Sequence, residues 1–546
     1  MSDTQERLIA FLESPQSYPH KPTEVRAIQT HISWVFIASP FVFKVKKPVN
    51  LVFLDFSTAE KRHHFCQREI TLNRRLAPEV YLGVAPIYKT TSGFSFSDEG
   101  EIVEYAVKMK ELPNGFFLNE LLEKNHVGEK EINQVISVLR RFYQAETPTP
   151  QIAKWGTPEK LKINTDENFT QVEPFIGKTI SSDAFEAIRH YTNQFYERNE
   201  SLFRQRLRQL RILDCHGDLR LDHIHLTPKA TSIFDCIEFN DRFRFIDIAN
   251  DLAFLAMDFD FNGRSDLGNL LLRNAARELD DAGMLKIANF YKCYRAFVRG
   301  KVESIQSAEK ETTNPQEHER QAARYFRLAL QYAVAGAEPL VLAVMGRVGT
   351  GKSTVAKQLA SELGWPVFSS DEIRKTLAGV PLTKRTAPEL RDKVYSTQMT
   401  RRTYRKLVSE GVAAICCGRR RRSRPLQPYN GVILDATFST SALRKFLRDE
   451  CEKANVPIQF IELEIGSNEI KKRLKDRDEK TTETSDARLE DFDKLRAAYE
   501  PPSESEADLT SISTASSISD AVKAILVCLA GKQATVASSA DSGGYG

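Results

Sequence analysis

The stretch Leu340–Ser353, LVLAVMGRVGTGKS, decides how the second half of this chain folds. Leu340–Met345 is an unbroken apolar run, as expected of a strand buried on both faces. Gly346–Ser353 then reads G-x-x-x-x-G-K-[ST], whose glycines let the backbone curl until successive N–H groups converge on phosphate oxygens. Ser353–Leu363 carries Val355, Leu359 and Leu363 at helical spacing, with Gly364 as a stop. A helix starting there aims the positive end of its dipole at the same anion. Gly346, Gly349, Thr350, Gly351, Lys352, Ser353 and Thr354 are therefore expected to cradle a nucleotide, ATP or GTP. Lys352 would bridge the β- and γ-phosphates, and the Ser353 hydroxyl would sit on Mg2+.

Beyond the P-loop, Pro366–Ser369, Gly431–Leu434 and Ile458–Leu463 read as further strands alternating with helices, which predicts an α/β domain with a parallel sheet. The second strand ends in Ser369-Ser370-Asp371-Glu372-Ile373-Arg374. Carboxyl ends of strands in such sheets face the ligand crevice. Asp371 is thus placed to take a proton from a hydroxyl attacking the γ-phosphate. Arg374, one turn on, could hold a substrate anion or the developing phosphate charge. The plainer alternative is a helix-capping Asp371 and a solvated Arg374. Val432–Leu434 runs into Asp435, a candidate Mg2+-organising carboxylate. In Ile470–Asp478, Ile470 and Leu474 point inward, while Arg473 and Arg477 share a neighbouring face. That arrangement fits either arginines closing over a nucleotide or a charged surface helix.

GRVGTGKST, SSDEIRK and VILDATF together resemble the small-molecule kinase branch of the P-loop families, over roughly Pro339–Pro502. The likeness is to gluconate kinases, zeta-toxin kinases and the kinase domain of phage-type polynucleotide kinase, and it implies ATP and Mg2+ as cofactors. VAAICCGRRRRSRPLQPYN (412–430) departs from that pattern, since related chains pass almost directly from helix to strand there. Its run Arg419–Arg422 plus Arg424 could touch nucleic-acid phosphates or form a solvated loop. Nucleic acid is not expected as a partner.

The first half has a motif of its own, His216-Gly217-Asp218-Leu219-Arg220-Leu221-Asp222-His223. It follows H-x-D-x-x-x-x-N, with His223 where Asn is usual. Ile233–Glu238 (IFDCIE) then delivers Asp235 from an apolar strand. In the kinase arrangement the loop Asp orients or deprotonates the attacking hydroxyl and the later Asp binds Mg2+. Asp218 and Asp235 can fill those roles, and a neutral His223 imidazole can still ligate. Upstream, Phe41–Lys47 is a strand whose Lys44 and Lys46 share one face. Either could neutralise phosphates; Lys44 is preferred, with Glu69 in the helical segment Phe65–Leu76 as its partner. Asp247 and Asp251 precede an apolar helix, where Asp251 could brace the catalytic loop.

These residues resemble the aminoglycoside phosphotransferase and choline kinase family over most of residues 25–300. That implies an α+β protein-kinase-like fold for the N-terminal domain. FKVKKPVNLVFLDFST, HGDLRLDHIHL and FDCIEFNDRFRFIDIANDLAF look like bacterial fusions joining such a domain to a P-loop kinase. One departure stands out. No G-x-G-x-x-G precedes Lys44, and HISWVFIASP occupies that place.

The 546 residues are too many for one ordinary core. Composition is globular, with 41% hydrophobic and 27% charged residues. A net charge of +4 argues for neither nucleic acid nor membrane. With no signal peptide and no membrane-length apolar run, a cytoplasmic protein is expected. Cysteines are scattered without a C-x-x-C pair, against zinc ribbons and disulfide frameworks alike. The polar stretch Val302–Glu319 and the hinge AGAEP (335–339) predict a kinase-like domain at 1–335, a P-loop domain at 336–532 and a disordered tail at 533–546. The expected function is bifunctional γ-phosphate transfer from ATP to small-molecule hydroxyls. The alternatives are a regulatory protein with only the P-loop half active, and a nucleic-acid end kinase.

Overall fold

The computed structural model describes residues 3–51, 54–91, 93–97, 100–309, 312, 314–416, 430–478, 485–503, 506 and 508–535. The chain packs as two units. One comprises Met1–Asn164 with Glu200–Arg295, the other Thr165–Asn199 with Ala296–Gly546.

In the first unit, Arg26–Gln29 (β1), Ser33–Ala38 (β2), Phe41–Lys46 (β3), Tyr81–Thr90 (β4), Gly93–Ser95 (β5) and Glu101–Lys110 (β6) form one antiparallel sheet, ordered β1-β2-β3-β6-β4-β5. The helix Ala59–Asn73 (α1) starts where the Thr58 side chain accepts the Lys61 amide, a standard N-cap. It packs on β4 and β6 through Cys66 and Ile70 against Tyr81 and Val107, and so carries Glu69 under the sheet, fully buried. Strand pairing continues in two short antiparallel pairs, Ile212–Asp214 with Phe245–Asp247 and Ile224–Leu226 with Thr231–Ile233. The His216–His223 loop connects these pairs. Helix Ile248–Phe261 (α2) lies behind it, buried along almost its whole length.

The second unit is built on Leu340–Gly346 (β7), Val367–Ser369 (β8), Gly431–Asp435 (β9), Ile458–Glu464 (β10) and Leu509–Ser513 (β11). All are parallel, in the order β8-β9-β7-β10-β11. Every residue of β7 is buried. Val341, Ala343 and Met345 join a core with Leu407, Val408 and Leu447, while the alternate residues Leu342 and Val344 face the other side and are equally dry. Helices therefore cover both faces. They are Pro315–Ala335 (α3), Lys352–Leu363 (α4), Ser370–Ala378 (α5), Pro388–Val394 (α6), Thr397–Cys416 (α7), Ser441–Lys453 (α8), Ser467–Asp478 (α9) and Ile518–Gln533 (α10).

Two expectations shift. The polar stretch 302–319 is not simply a linker: a helix at Gly283–Ser307 runs into it and α3 begins inside it. The Asn314-Pro315 pair supplies the start, since Asn314 caps the Glu317 amide and Pro315 occupies the first turn. Packing also groups the chain differently from a linear division at residue 335. The helix Ser182–Arg198 and α3 both pack against α10, within the P-loop unit. The segment 417–429, including Arg419–Arg422 and Arg424, and the tail from 536 onward lie outside the described residues. Among the described residues, no helix is long and apolar enough to cross a membrane.

Candidate functional site

The P-loop forms where β7 runs out at the carboxyl edge of the sheet. Gly346 sits at φ 134°, and a Cβ there would lie 2.6 Å from the Leu463 carbonyl oxygen on β10. Only glycine lets the chain turn so close to the neighbouring strand. Within the loop, the Thr350 hydroxyl and the Lys352 ammonium both donate to the Arg347 carbonyl, at 2.9 and 2.8 Å. The Ser353 hydroxyl donates to Asp435 Oδ2 at 2.6 Å. Two hard oxygen donors in contact, one a carboxylate, fit the coordination preference of Mg2+. Burial pushes the Asp435 carboxyl above its ordinary value, and the Ser353 hydrogen bond and the Lys352 charge offset only part of that.

These groups open onto a cleft of about 1370 Å3. Its walls include Gly349, Gly351, Lys352, Ser353, Thr354, Asp371, Arg374, Asp435 and Arg473. Two of the expected nucleotide residues are not among its lining: Gly346 packs on Leu463, and Thr350 turns its hydroxyl back into the loop. Ser369 occupies the cap position of α5, so Asp371 is a first-turn residue facing the cleft rather than the cap. Arg374 is not solvated. It is 7% exposed, donates to the Val394 carbonyl and the Thr400 hydroxyl at 3.1 Å each, and stacks on Tyr395 at 4.9 Å. Arg473 donates to the Thr350 carbonyl at 3.4 Å and the Thr514 carbonyl at 3.0 Å, bracing the loop from behind. The Arg477 side chain lies outside the described residues.

In the first unit, β3 presents Lys44 and Lys46 to the interior. Lys44 Nζ lies 2.6 Å from Asp235 Oδ1 and 3.0 Å from Glu69 Oε1. Lys46 Nζ lies 2.7 Å from Glu69 Oε2 and also pairs with Glu238. Glu69 thus joins both lysines, and Lys44 is the one that reaches Asp235. Burial alone would raise the Asp235 carboxyl, but the Lys44 ammonium beside it reverses this and holds it well below the usual carboxylate range. Asp235 itself has φ 63°, a left-handed conformation uncommon outside glycine.

The loop carrying Asp218 is fixed from behind. Asp251 accepts the amides of His216 and Gly217 at 3.0 and 2.9 Å and the Tyr143 hydroxyl at 3.0 Å. Gly217 has φ 86°, with the Phe243 carbonyl 2.8 Å from where a Cβ would stand. Burial keeps His216 neutral by lowering its pKa. Its Nδ1 accepts the Asp218 amide, so Nε2 carries the proton and donates to the Phe234 carbonyl at 2.9 Å. His223 stands between the two acids, with Nε2 3.6 Å from Asp235 Oδ2 and Nδ1 3.5 Å from Asp218 Oδ2. HISWVFIASP, which stands where the G-x-G-x-x-G is missing, contains β2 itself, and β1 joins β2 through a short turn closed by Thr30.

Sequence reading passed over Glu238, Arg220, Tyr143 and Asp486. A carboxylate inside the apolar run IFDCIEF was a legible sign of a buried partner. Asp486 accepts the Thr386 amide at 2.8 Å and the Tyr395 hydroxyl at 3.0 Å, tying α6 to the cleft wall, and nothing local announced it.

Residues 341–502 match the family described as AAA domain. Over 149 residues the chain is 27% identical to the gluconokinase of Gluconobacter oxydans (strain 621H), covering 26% of this chain and 68% of that protein. A choline kinase structure from Cryptosporidium parvum Iowa II aligns with 60% of this chain and 94% of its own, at 12% identity and a TM-score of 0.37. The uncharacterized protein Rv2004c of Mycobacterium tuberculosis (strain ATCC 25618 / H37Rv) is 34% identical over 349 residues, which are 64% of this chain and 68% of that one. The chain belongs to the family of that mycobacterial protein.

Proposed function

We propose that the protein is an ATP- and Mg2+-dependent phosphotransferase acting on hydroxyls of small molecules, with two separate phosphoryl-transfer sites. One observation carries the P-loop half: Lys352, the Ser353–Asp435 pair and Asp371 line a single cleft. The backbone cradle and Lys352 hold the phosphates of ATP, and Ser353 with Asp435 hold the metal. A bound Mg2+ would neutralise charge on the β- and γ-phosphates. Asp371 takes the proton of the acceptor hydroxyl, and Arg374, already locked against Tyr395, meets anionic charge on the acceptor or the phosphoryl group. The gluconokinase likeness over this half supports a small polyol or sugar-like acceptor.

In the first unit Lys44 holds phosphate oxygens, Asp235 the metal and Asp218 the attacking hydroxyl. A second reading keeps this unit as a ligand sensor without turnover. It draws on the β2 strand standing where a phosphate-covering loop would be expected. ATP consumption by the full-length chain, screened across sugars, aminoglycosides, nucleosides and oligonucleotides, separates the two. Two product classes are expected, one lost in Lys352→Ala and the other in Asp218→Asn. If Asp218→Asn leaves every product unchanged while Lys352→Ala removes all of them, only the P-loop half turns over.

A further inference from the structure

Arg220 lies two residues past Asp218, and its side chain folds back across the acidic residues of the loop. Its Nε is 3.4 Å from Asp218 Oδ2, and its Nη2 is 3.0 Å from Asp222 Oδ2. The same Nη2 lies 2.9 Å from His223 Nε2. A guanidinium has no lone pair to offer, so it is the donor in that contact. His223 Nε2 is therefore the unprotonated nitrogen, and Nδ1–H donates to the Asp218 carbonyl at 2.9 Å. The lone pair with which His223 would ligate a metal is already engaged by a permanent cation.

In the kinase arrangement two Mg2+ ions are held by the later Asp and by the Asn of the catalytic loop. Here the Asn position is His223, and the cation facing it belongs to the protein. We propose that the Arg220 guanidinium takes the place of the second metal ion, so that the site around Asp218 and Asp235 works with one divalent cation, held by Asp235. The inference rests on reading this unit as a nucleotide site. Charge is already placed there: Arg220 faces both Asp218 and Asp222, while Lys44 is shared between Asp235 and Glu69. A second ion on His223 would have to displace Nη2 and sit beside the guanidinium. Geometry points the same way, because the one guanidinium contacts Asp218, Asp222 and His223 together.

Counting metal ions tests this directly. Mn2+ bound to the full-length protein with a non-hydrolysable ATP analogue is counted by electron paramagnetic resonance, in the wild type and in Asp235→Asn. Ions in the P-loop half are common to both proteins and cancel. A difference of one ion is expected. A difference of two overturns the inference and leaves the nucleotide site standing. No difference removes the nucleotide–metal reading of this unit, and the inference with it. In an Arg220→Gln background the Asp235-dependent count should rise from one to two, and Arg220→Lys should stay at one. A count of one in Arg220→Gln shows that Arg220 is not what excludes the second ion, and overturns the proposal.

Discussion

The P-loop cleft and the Lys44–Asp235 site both bring a lysine and carboxylates together, on opposite supports. Around Gly346–Ser353 the support is main chain: glycine turns, amides and a helix start, with the Lys352 ammonium and the Thr350 hydroxyl donating to the Arg347 carbonyl. Around Lys44 it is a network of ion-paired side chains, with Lys46, Glu69 and Glu238 buried and Asp235 part-exposed at its edge. A backbone cradle separates function from stability, because removing a side chain leaves few buried charges behind. A charge network joins them. Each member holds another in place, and the loss of a buried one strands its partner away from water.

The largest effect expected from this contrast is on rate. Asp371→Asn should lower transfer by the P-loop site by about 10²–10⁴-fold, the usual contribution of a general base, with unfolding by urea almost unchanged. A loss under threefold would mean that Asp371 is only a first-turn residue. Next comes Lys46→Ala, which strands Glu238 and half of Glu69 in a dry interior. It should cost about 3–5 kcal/mol of folding stability, whereas Lys352→Ala should stay within about 1 kcal/mol. Equal losses in the two would dissolve the contrast. Asp251→Ala leaves the His216 and Gly217 amides without their acceptor, at about 1–3 kcal/mol per orphaned donor. It should also disorder the loop enough to weaken nucleotide binding by the first unit alone, read by titrating the analogue into the full chain.

The same contrast explains what could be read from sequence. The P-loop was legible because its parts are local: an apolar run, a spaced set of glycines and a helical stripe within about two dozen residues. Asp371, Asp435 and Arg374 in one cleft followed once the strand ends were placed, and Asp251 behind the His216–His223 loop was legible too, although it sits in the first turn of α2 and not before it. Lys44 and Glu69 were legible as a pair. Lys46 with Glu238 was not, since that pairing depends on how β3 and the Phe234–Glu238 segment meet across the interior. Arg220 escaped because its meaning lies in side-chain direction within a tight turn, not in spacing. The segment 165–199 could not be assigned to the P-loop unit from order along the chain, because it joins α3 and α10 only in three dimensions.

The smallest expected effect tests whether the cleft conceals one costly charge of its own. Asp435 is a buried charge in the cleft wall, being 4% exposed with its carboxyl raised by burial. A carboxyl whose folded pKa lies above its unfolded value holds its proton longer in the native state. Stability therefore falls as pH rises from the ordinary carboxylate value, about 4, through the raised one, and is constant above it. Asp435→Asn removes that titration, and the Asn side-chain oxygen still accepts the Ser353 hydroxyl. The variant should thus gain on the wild type across that window, keep a constant advantage toward neutral pH and lose it in acid. Urea unfolding at a series of pH values reads the difference. Mg2+-nucleotide binding should weaken in the variant at every pH where the wild-type carboxyl is ionised. A variant less stable than the wild type at neutral pH would mean that the Asp435 charge is well compensated by Ser353 and Lys352, and that both sites rest on paired ions after all.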